Sequence, residues 1–145
     1  MQPWIAATDL GWFDFLRGLG DARGRVDEVN FWNPSGEPMR SFTPGEPVFF
    51  RLGKPRFAIG GYGFFAHFTR LRLDKAWELF EEKNGALGPA ELLDAIAGKR
   101  RMSNEELMQP SREIGCTILR DAVFWPENRW IPWREDQGWA HAMSS

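Results

Sequence analysis

The sequence predicts an α+β domain folded around one small, curved or closed sheet. Three observations carry that expectation. Apolar residues recur at helical spacing in a few places and alternate at strand spacing in about five others. Helical and strand-like stretches are grouped rather than strictly alternating: helix, strands, helices, strand, extended tail. The chain has 145 residues, about one domain, enough to bury a core without disulfide or metal staples.

Asp9 to Leu19 reads as a helix, because Trp12, Phe15, Leu16 and Leu19 fall at i, i+3, i+4 and i+7 and share one face. Thr8 or Asp9 caps it and Gly20 ends it. The GDARGR stretch at 20–25 is a turn-rich connector. Val26 to Trp32 is a strand, closed by Asn33-Pro34-Ser35-Gly36. Beyond the turn signal Pro44-Gly45, three strands are expected: Val48 to Leu52, Arg56 to Tyr62 and Phe64 to Leu73. Gly53 to Pro55 separates the first two. Gly60, Gly61 and Gly63 mark a bulge, a tight turn or a close backbone approach.

Asp74 caps a second helix, Lys75 to Lys83, with Ala76, Trp77 and Phe80 inward and Asn84-Gly85 at its end. Gly88-Pro89 opens a third, striped by Leu92, Leu93 and Ile96 and stopped at Gly98. Ser103 and Glu106 form a capping box for a brief helix before Pro110. Ile114 to Phe124 is the last long strand, with Ile114, Cys116 and Ile118 alternating with Gly115 and Thr117. The tryptophan- and proline-rich remainder wraps the surface. The expected domain covers residues 1–139, with 140–145 a disordered tail.

Charge and composition exclude several classes. The net charge of −2 supplies no global attraction to nucleic acid or membrane, so any basic partner face must be local. One cysteine, Cys116, rules out a disulfide framework or a four-cysteine zinc site and fits a reducing, cytoplasmic setting. On an apolar strand face it is expected to be a buried, inert thiol. The start, MQPWIAATDLGW, lacks a basic region followed by an apolar run, and no stretch is apolar over the roughly 20 residues a membrane span requires. His67 and His141 stand apart and, with a single cysteine, do not make a usual zinc site. GGYGF lacks the lysine and following helix of a phosphate loop. Glu78, Glu81 and Glu82 beside Lys75 and Lys83 read as a solvated helix face. No catalytic constellation and no cofactor are expected.

What remains is a local mixture of positive charge and rings. Arg51, Lys54 and Arg56 cluster around one turn, while Arg70 and Arg72 share a strand face. Trp32, Tyr62, Phe64, Phe65 and Trp125 lie at strand ends or in glycine-interrupted segments. Charge for phosphates and rings for stacking are what a reader of unstacked bases needs. Asn30 and Asn84 could donate to and accept from a base edge. For each ring, core packing is the competing explanation.

The segments TDLGWFDFL, DEVNFWNPSG, PGEPVFFRL, GGYGFF, AWELFEEKNGA, IGCTIL and RWIPW occur in this order. Together they resemble the N-terminal specificity domain of bacterial HNH-type, modification-dependent restriction endonucleases, a PUA-like domain akin to the EVE, YTH, ASCH and SRA base readers. The resemblance covers about residues 5 to 139. It implies a small bent β-barrel of about five or six strands with two to four peripheral helices. It implies a DNA-binding module that recognises a modified cytosine, of the 5-methyl or 5-hydroxymethyl type, by flipping it into an aromatic cage. Its partners would be modified DNA and an HNH nuclease domain. This chain carries no histidine and asparagine set for a catalytic metal and is not expected to cut DNA itself.

Carried onto the motif positions, the expected base pocket is Asn30, Trp32, Tyr62, Phe65 and Asn84, with Trp125 added from its strand-end position. Lys83 joins Arg51, Lys54, Arg56, Arg70 and Arg72 on the nucleic-acid face. Tyr62 departs from the family pattern, which has a small residue there. Two alternatives stay open: an RNA-binding module of the ASCH or YTH kind, and a protein-interaction domain whose aromatic cage takes a methylated lysine or a peptide.

Overall fold

The computed structural model describes residues 4–23, 26–100, 103–107, 109, 112–133 and 142–143. Its strands are β1 (Trp4–Thr8), β2 (Val26–Asn33), β3 (Pro47–Leu52), β4 (Ala58–Leu71), β5 (Ile114–Phe124), β6 (Ile131–Pro132) and β7 (Ala142–Met143). Its α-helices are α1 (Leu10–Arg23), α2 (Leu73–Phe80), α3 (Pro89–Arg100) and α4 (Asn104–Leu107). Short 3-10 turns cover Glu81–Asn84 and Glu127–Arg129. No helix among the described residues is long and apolar enough to cross a membrane.

All seven strands form one mixed sheet in the order β2-β5-β4-β3-β1-β7, with β6 pairing the start of β4 at Ala58 and Ile59. β2–β5, β5–β4 and β4–β3 are antiparallel, whereas β1 runs parallel to β3. β4 breaks register between Tyr62 and Phe64 and again between Phe65 and His67, and the β3–β4 pairing shifts between Phe49 and Arg51. Such irregularities bend a strand and tighten its twist. They curl the sheet around a core that includes Phe13, Leu16, Phe50, Leu52, Ile118 and Leu119, all with no exposed surface. This is the α+β bent sheet with peripheral helices that the sequence predicts.

Glycine explains the largest change in the expected elements. The two strands expected at 56–62 and 64–73 are one strand, because Gly60, Gly61 and Gly63 mark close packing rather than a turn. A Cβ on Gly61 would collide with the Val123 carbonyl on β5, and one on Gly60 would meet the Phe13 ring of α1. Bare backbone there lets β5 and α1 sit against β4. α1 also runs past Gly20 to Arg23, and α3 past Gly98 to Arg100, so neither glycine ends its helix. α2 begins at Leu73 with no side-chain cap, and Asp74 sits in its first turn instead. Asp9 does cap α1, its Oδ2 accepting from Trp12 N–H at 2.9 Å. Ser103 accepts from the Glu106 N–H at 3.2 Å as the expected capping box requires. β1, which the sequence reading did not assign, fills the β3 edge. The expected disordered tail at 140–145 falls outside the described residues except for Ala142 and Met143, which pair with Ile5 and Ala6.

α1 is tied to the β3–β4 turn by Arg56, whose two terminal nitrogens donate to the Asp14 carboxylate at 2.7 and 2.6 Å. That hydrogen-bonded guanidinium holds the Asp14 carboxyl below its ordinary range. Cys116 is fully buried on β5. Burial pushes its thiol up to about 11, against a smaller opposing effect of a donor from Asn30.

Two outcomes follow for stability. Gly85 has φ +80° and a Cβ there would fall inside the Trp12 indole, whereas Gly45 has φ +91° with open space around it. Gly45→Ala should therefore cost about 1–2 kcal/mol of backbone strain, and Gly85→Ala about 2–5 kcal/mol once overpacking is added; denaturant melts of the two variants compare them directly. Cys116 is protonated longer in the folded chain than in the unfolded one. Stability from that thiol is full below about pH 9 and lost as pH rises toward 11, by up to about 3 kcal/mol. Subtracting the pH profile of Cys116→Ala isolates this limb; a difference flat from pH 8 to 11 would contradict it.

Candidate nucleic-acid interface

The deepest functional candidate lies between α1, β2 and α3. A cleft of about 290 Å³ is lined by Trp12 and Phe15 of α1, Trp32 of β2, Gly85 to Leu87, and Leu92 and Ala95 of α3, with Asp9 and Glu91 on its rim. A smaller recess beside it adds Phe31 and Lys99. Glu91, Ala95 and Lys99 are four residues apart along α3 and share one face, as helical geometry requires. The combined volume sits at the low end of the range for small-molecule sites, roughly 300–1,000 Å³.

Beneath this cleft runs a buried polar network. Trp12 Nε1 donates to the Asn30 carbonyl at 3.0 Å, and Trp32 Nε1 donates to the Asn84 carbonyl at 3.1 Å. Asn30 Nδ2 donates to Asn84 Oδ1 at 2.9 Å and to Cys116 Sγ at 3.4 Å. Asn84 Nδ2 donates to the carbonyls of Ala76 at 3.0 Å and Glu81 at 2.9 Å. Both asparagines are wholly buried, while Trp12 and Trp32 are 4% and 6% exposed. The indoles are therefore walls held by their ring nitrogens, not open stacking platforms. Asn30 Oδ1 has no donor.

The expected pocket residues do not all meet here. Asn30, Trp32 and Asn84 come together, as the network shows. Tyr62 does not join them. Trp32 pairs with Cys116 and Tyr62 with Val123, seven residues apart on β5, or roughly 23 Å at strand rise. Tyr62 instead lies half-buried against Phe49, Phe64 and Trp125, at ring separations of 5.7, 5.5 and 5.8 Å. Phe65 is a core residue, 7% exposed and packed on Phe42 at 5.1 Å. The single aromatic cage expected from the sequence is thus two separate clusters, because the β4 bulges and the curl of the sheet divide the rings.

The expected cationic rim is also divided. Arg51 on β3 and Lys54 and Arg56 in the following turn lie before the 14-residue β4, whereas Arg70 is near its far end and Arg72 just beyond it. Arg56 is bound by Asp14, Arg70 by Glu37 at 3.4 Å, Arg72 by Asp74 at 3.2 Å and Lys83 by Asp27 at 2.9 Å. The Lys83 ammonium lowers the Asp27 carboxyl below its ordinary range. Arg51 stacks over Trp133 at 4.8 Å. Lys54 projects from the exposed turn before Pro55. Four of these six cations are offset by carboxylates and they lie at separate places along the fold, so the positive stretch of sequence is not one positive face.

Trp12, Asp9 and Lys99 were missed as site residues. Trp12 was assigned to a core-facing helix stripe, which it also serves: its ring makes edge contacts with Phe31, Phe50 and Phe124. The i, i+4, i+8 spacing of Glu91, Ala95 and Lys99 was the available signal for α3. His67 is exposed on β4 and His141 lies outside the described residues. Among the described residues no group of three or more His, Cys, Asp or Glu is placed to hold a metal ion.

No protein-family model matches this chain, and no curated protein matches it. Among solved structures, the ASCH protein of Zymomonas mobilis is similar with a TM-score of 0.53 at 9% identity, covering 98% of this chain and 85% of that one. A point mutant of the same protein aligns at 0.46, with 8% identity over 83% of this chain and 70% of its own. The hypothetical protein PH0355 aligns at 0.47, with 13% identity over 84% of this chain and 100% of its own. At such an identity the likeness is one of backbone path: the chain shares the fold of the Zymomonas mobilis ASCH protein.

Proposed function

We propose that this chain is a non-catalytic nucleic-acid-binding module that inspects one extruded nucleobase at the Trp12–Trp32 cleft. The finer reading is a cytosine carrying a 5-methyl or 5-hydroxymethyl group in DNA, with an HNH nuclease domain as the partner that cuts. One observation carries this. Three of the motifs behind the sequence resemblance, distant along the chain, converge on a single cleft: Asp9 and Trp12 of TDLGWFDFL, Trp32 of DEVNFWNPSG and Gly85 of AWELFEEKNGA. The PUA-like fold supports the coarser reading of a nucleic-acid module.

The energetics set a demand on the cleft. Extruding a base costs a few kcal/mol of unstacking, and contact with largely buried rings returns less than the roughly 1–3 kcal/mol per base of an open stacking platform. Hydrogen bonds to the base edge must supply the rest, which places weight on the polar groups beneath the indoles. With Arg56, Arg70, Arg72 and Lys83 each beside a carboxylate, phosphate attraction from these residues is a modest contributor, and Lys99 is the cation that lines the recess beside the cleft.

Specificity and general affinity should separate by mutation. Trp32→Ala would remove a buried ring and cost about 3–5 kcal/mol of stability, so Trp32→Phe is the usable probe. It keeps a ring and deletes the bond to Asn84. It should reduce the preference for modified over plain duplex about 5- to 10-fold, while Lys99→Ala weakens both duplexes equally. Fluorescence-anisotropy titrations on duplexes differing only in one cytosine's substituent measure both. Retention of the full preference in Trp32→Phe, with its loss in Tyr62→Ala, would place the reading on the other aromatic cluster. Tighter binding of matched single-stranded RNA in competition would favour an RNA module.

A further inference from the structure

Resting on the base-reading function proposed above, we infer that Asn30 Oδ1 selects a base that presents an exocyclic amine, as cytosine and adenine do, against one that presents a keto oxygen there. The polarity of the asparagine pair carries this. Both N–H groups of Asn84 Nδ2 point at backbone carbonyls, those of Ala76 and Glu81, which accept and never donate. Asn84 is therefore fixed with Oδ1 toward Asn30. Asn30 must answer with Nδ2, because the flipped amide would set oxygen against oxygen. The one atom left over is an acceptor, and it is buried with no donor.

A buried acceptor without a partner destabilises the fold, so its presence asks for an explanation. A ligand amine satisfies it. A keto oxygen would bring a second acceptor against it. Asn30 is wholly buried and does not itself line the cleft; it is joined to the cleft walls through its carbonyl, which accepts from Trp12, and through Asn84, whose carbonyl accepts from Trp32. Trp12 is clamped by its ring contacts with Phe31, Phe50 and Phe124. Trp32 makes no ring contact among the described residues and is anchored by its single bond to Asn84. For Asn30 to meet a base in the cleft, the Trp32 bond to Asn84 has to open.

The test deletes the amine from the ligand, so no protein variant has to fold. Single-stranded oligonucleotides of one sequence carry, at one position, 5-methylcytosine, thymine, 5-methyl-2-pyrimidinone or an abasic site. Thymine differs from 5-methylcytosine in its keto oxygen and its protonated ring nitrogen; the pyrimidinone simply lacks the amine. The 5-methylcytosine strand should bind at least about 10-fold tighter than either. Equal affinity for the three bases, with the abasic strand weaker, overturns the amine requirement and leaves base reading intact. If the abasic strand binds as well as the others, base reading falls with it.

Discussion

Four side chains, Trp12, Asn30, Trp32 and Asn84, tie α1, β2 and the turn after α2 together through buried hydrogen bonds. Trp12 joins α1 to β2, Trp32 joins β2 to the 3-10 turn after α2, and the asparagine pair locks that turn beneath the sheet. Buried polar groups stabilise only when their partners are in place. Each indole is therefore anchored through its ring nitrogen as well as buried. Other features answer to this arrangement. Gly85 has to be glycine because the Trp12 ring occupies the space of a side chain. Cys116 is kept neutral by the same burial, and its sulfur takes one of the Asn30 hydrogens.

The electrostatics lead away from the simplest expectation for a nucleic-acid protein. A basic stretch in the sequence becomes, in three dimensions, a set of ion pairs. Exposed pairs contribute little to stability. Their effect here is on the field: Arg56, Arg70, Arg72 and Lys83 each sit beside a carboxylate. Together with the net charge of −2, this pairing leaves little bulk attraction for a polyanion on these residues.

Much of the fold was legible in the sequence and less of the site. Periodicity placed α1, α3 and β5 because their apolar residues repeat at 3.6 or 2 residues over long runs. Glycine was misleading in both directions. At Gly60, Gly61 and Gly63 it meant close approach, and β4 continued straight through it. At Gly20 and Gly98 the helices ran on, since a helix packed on one face tolerates a glycine on another. β1 escaped notice because WIAAT is short and its partner, β3, lies some 40 residues away. Asn30, Trp32 and Asn84 were recognisable as a group from motif positions. Tyr62 and Phe65 were not separable from them, because the two bulges that send their rings to different places leave no mark in composition. The ion pairs of the arginines depend on tertiary contacts up to 42 residues apart, such as Arg56 with Asp14, which no local pattern reveals.

The central claim is that base reading happens at the Trp12–Trp32 cleft and not at the Tyr62 cluster. Indole N–H resonances of a nitrogen-15-labelled chain, followed while a strand bearing 5-methylcytosine is titrated in, test it most directly. The Trp32 Nε1 resonance, and the side-chain amides of Asn30 and Asn84, should shift the most and saturate together. Saturating shifts at Trp125 and the backbone around Tyr62, with the Trp32 indole unmoved, would contradict it.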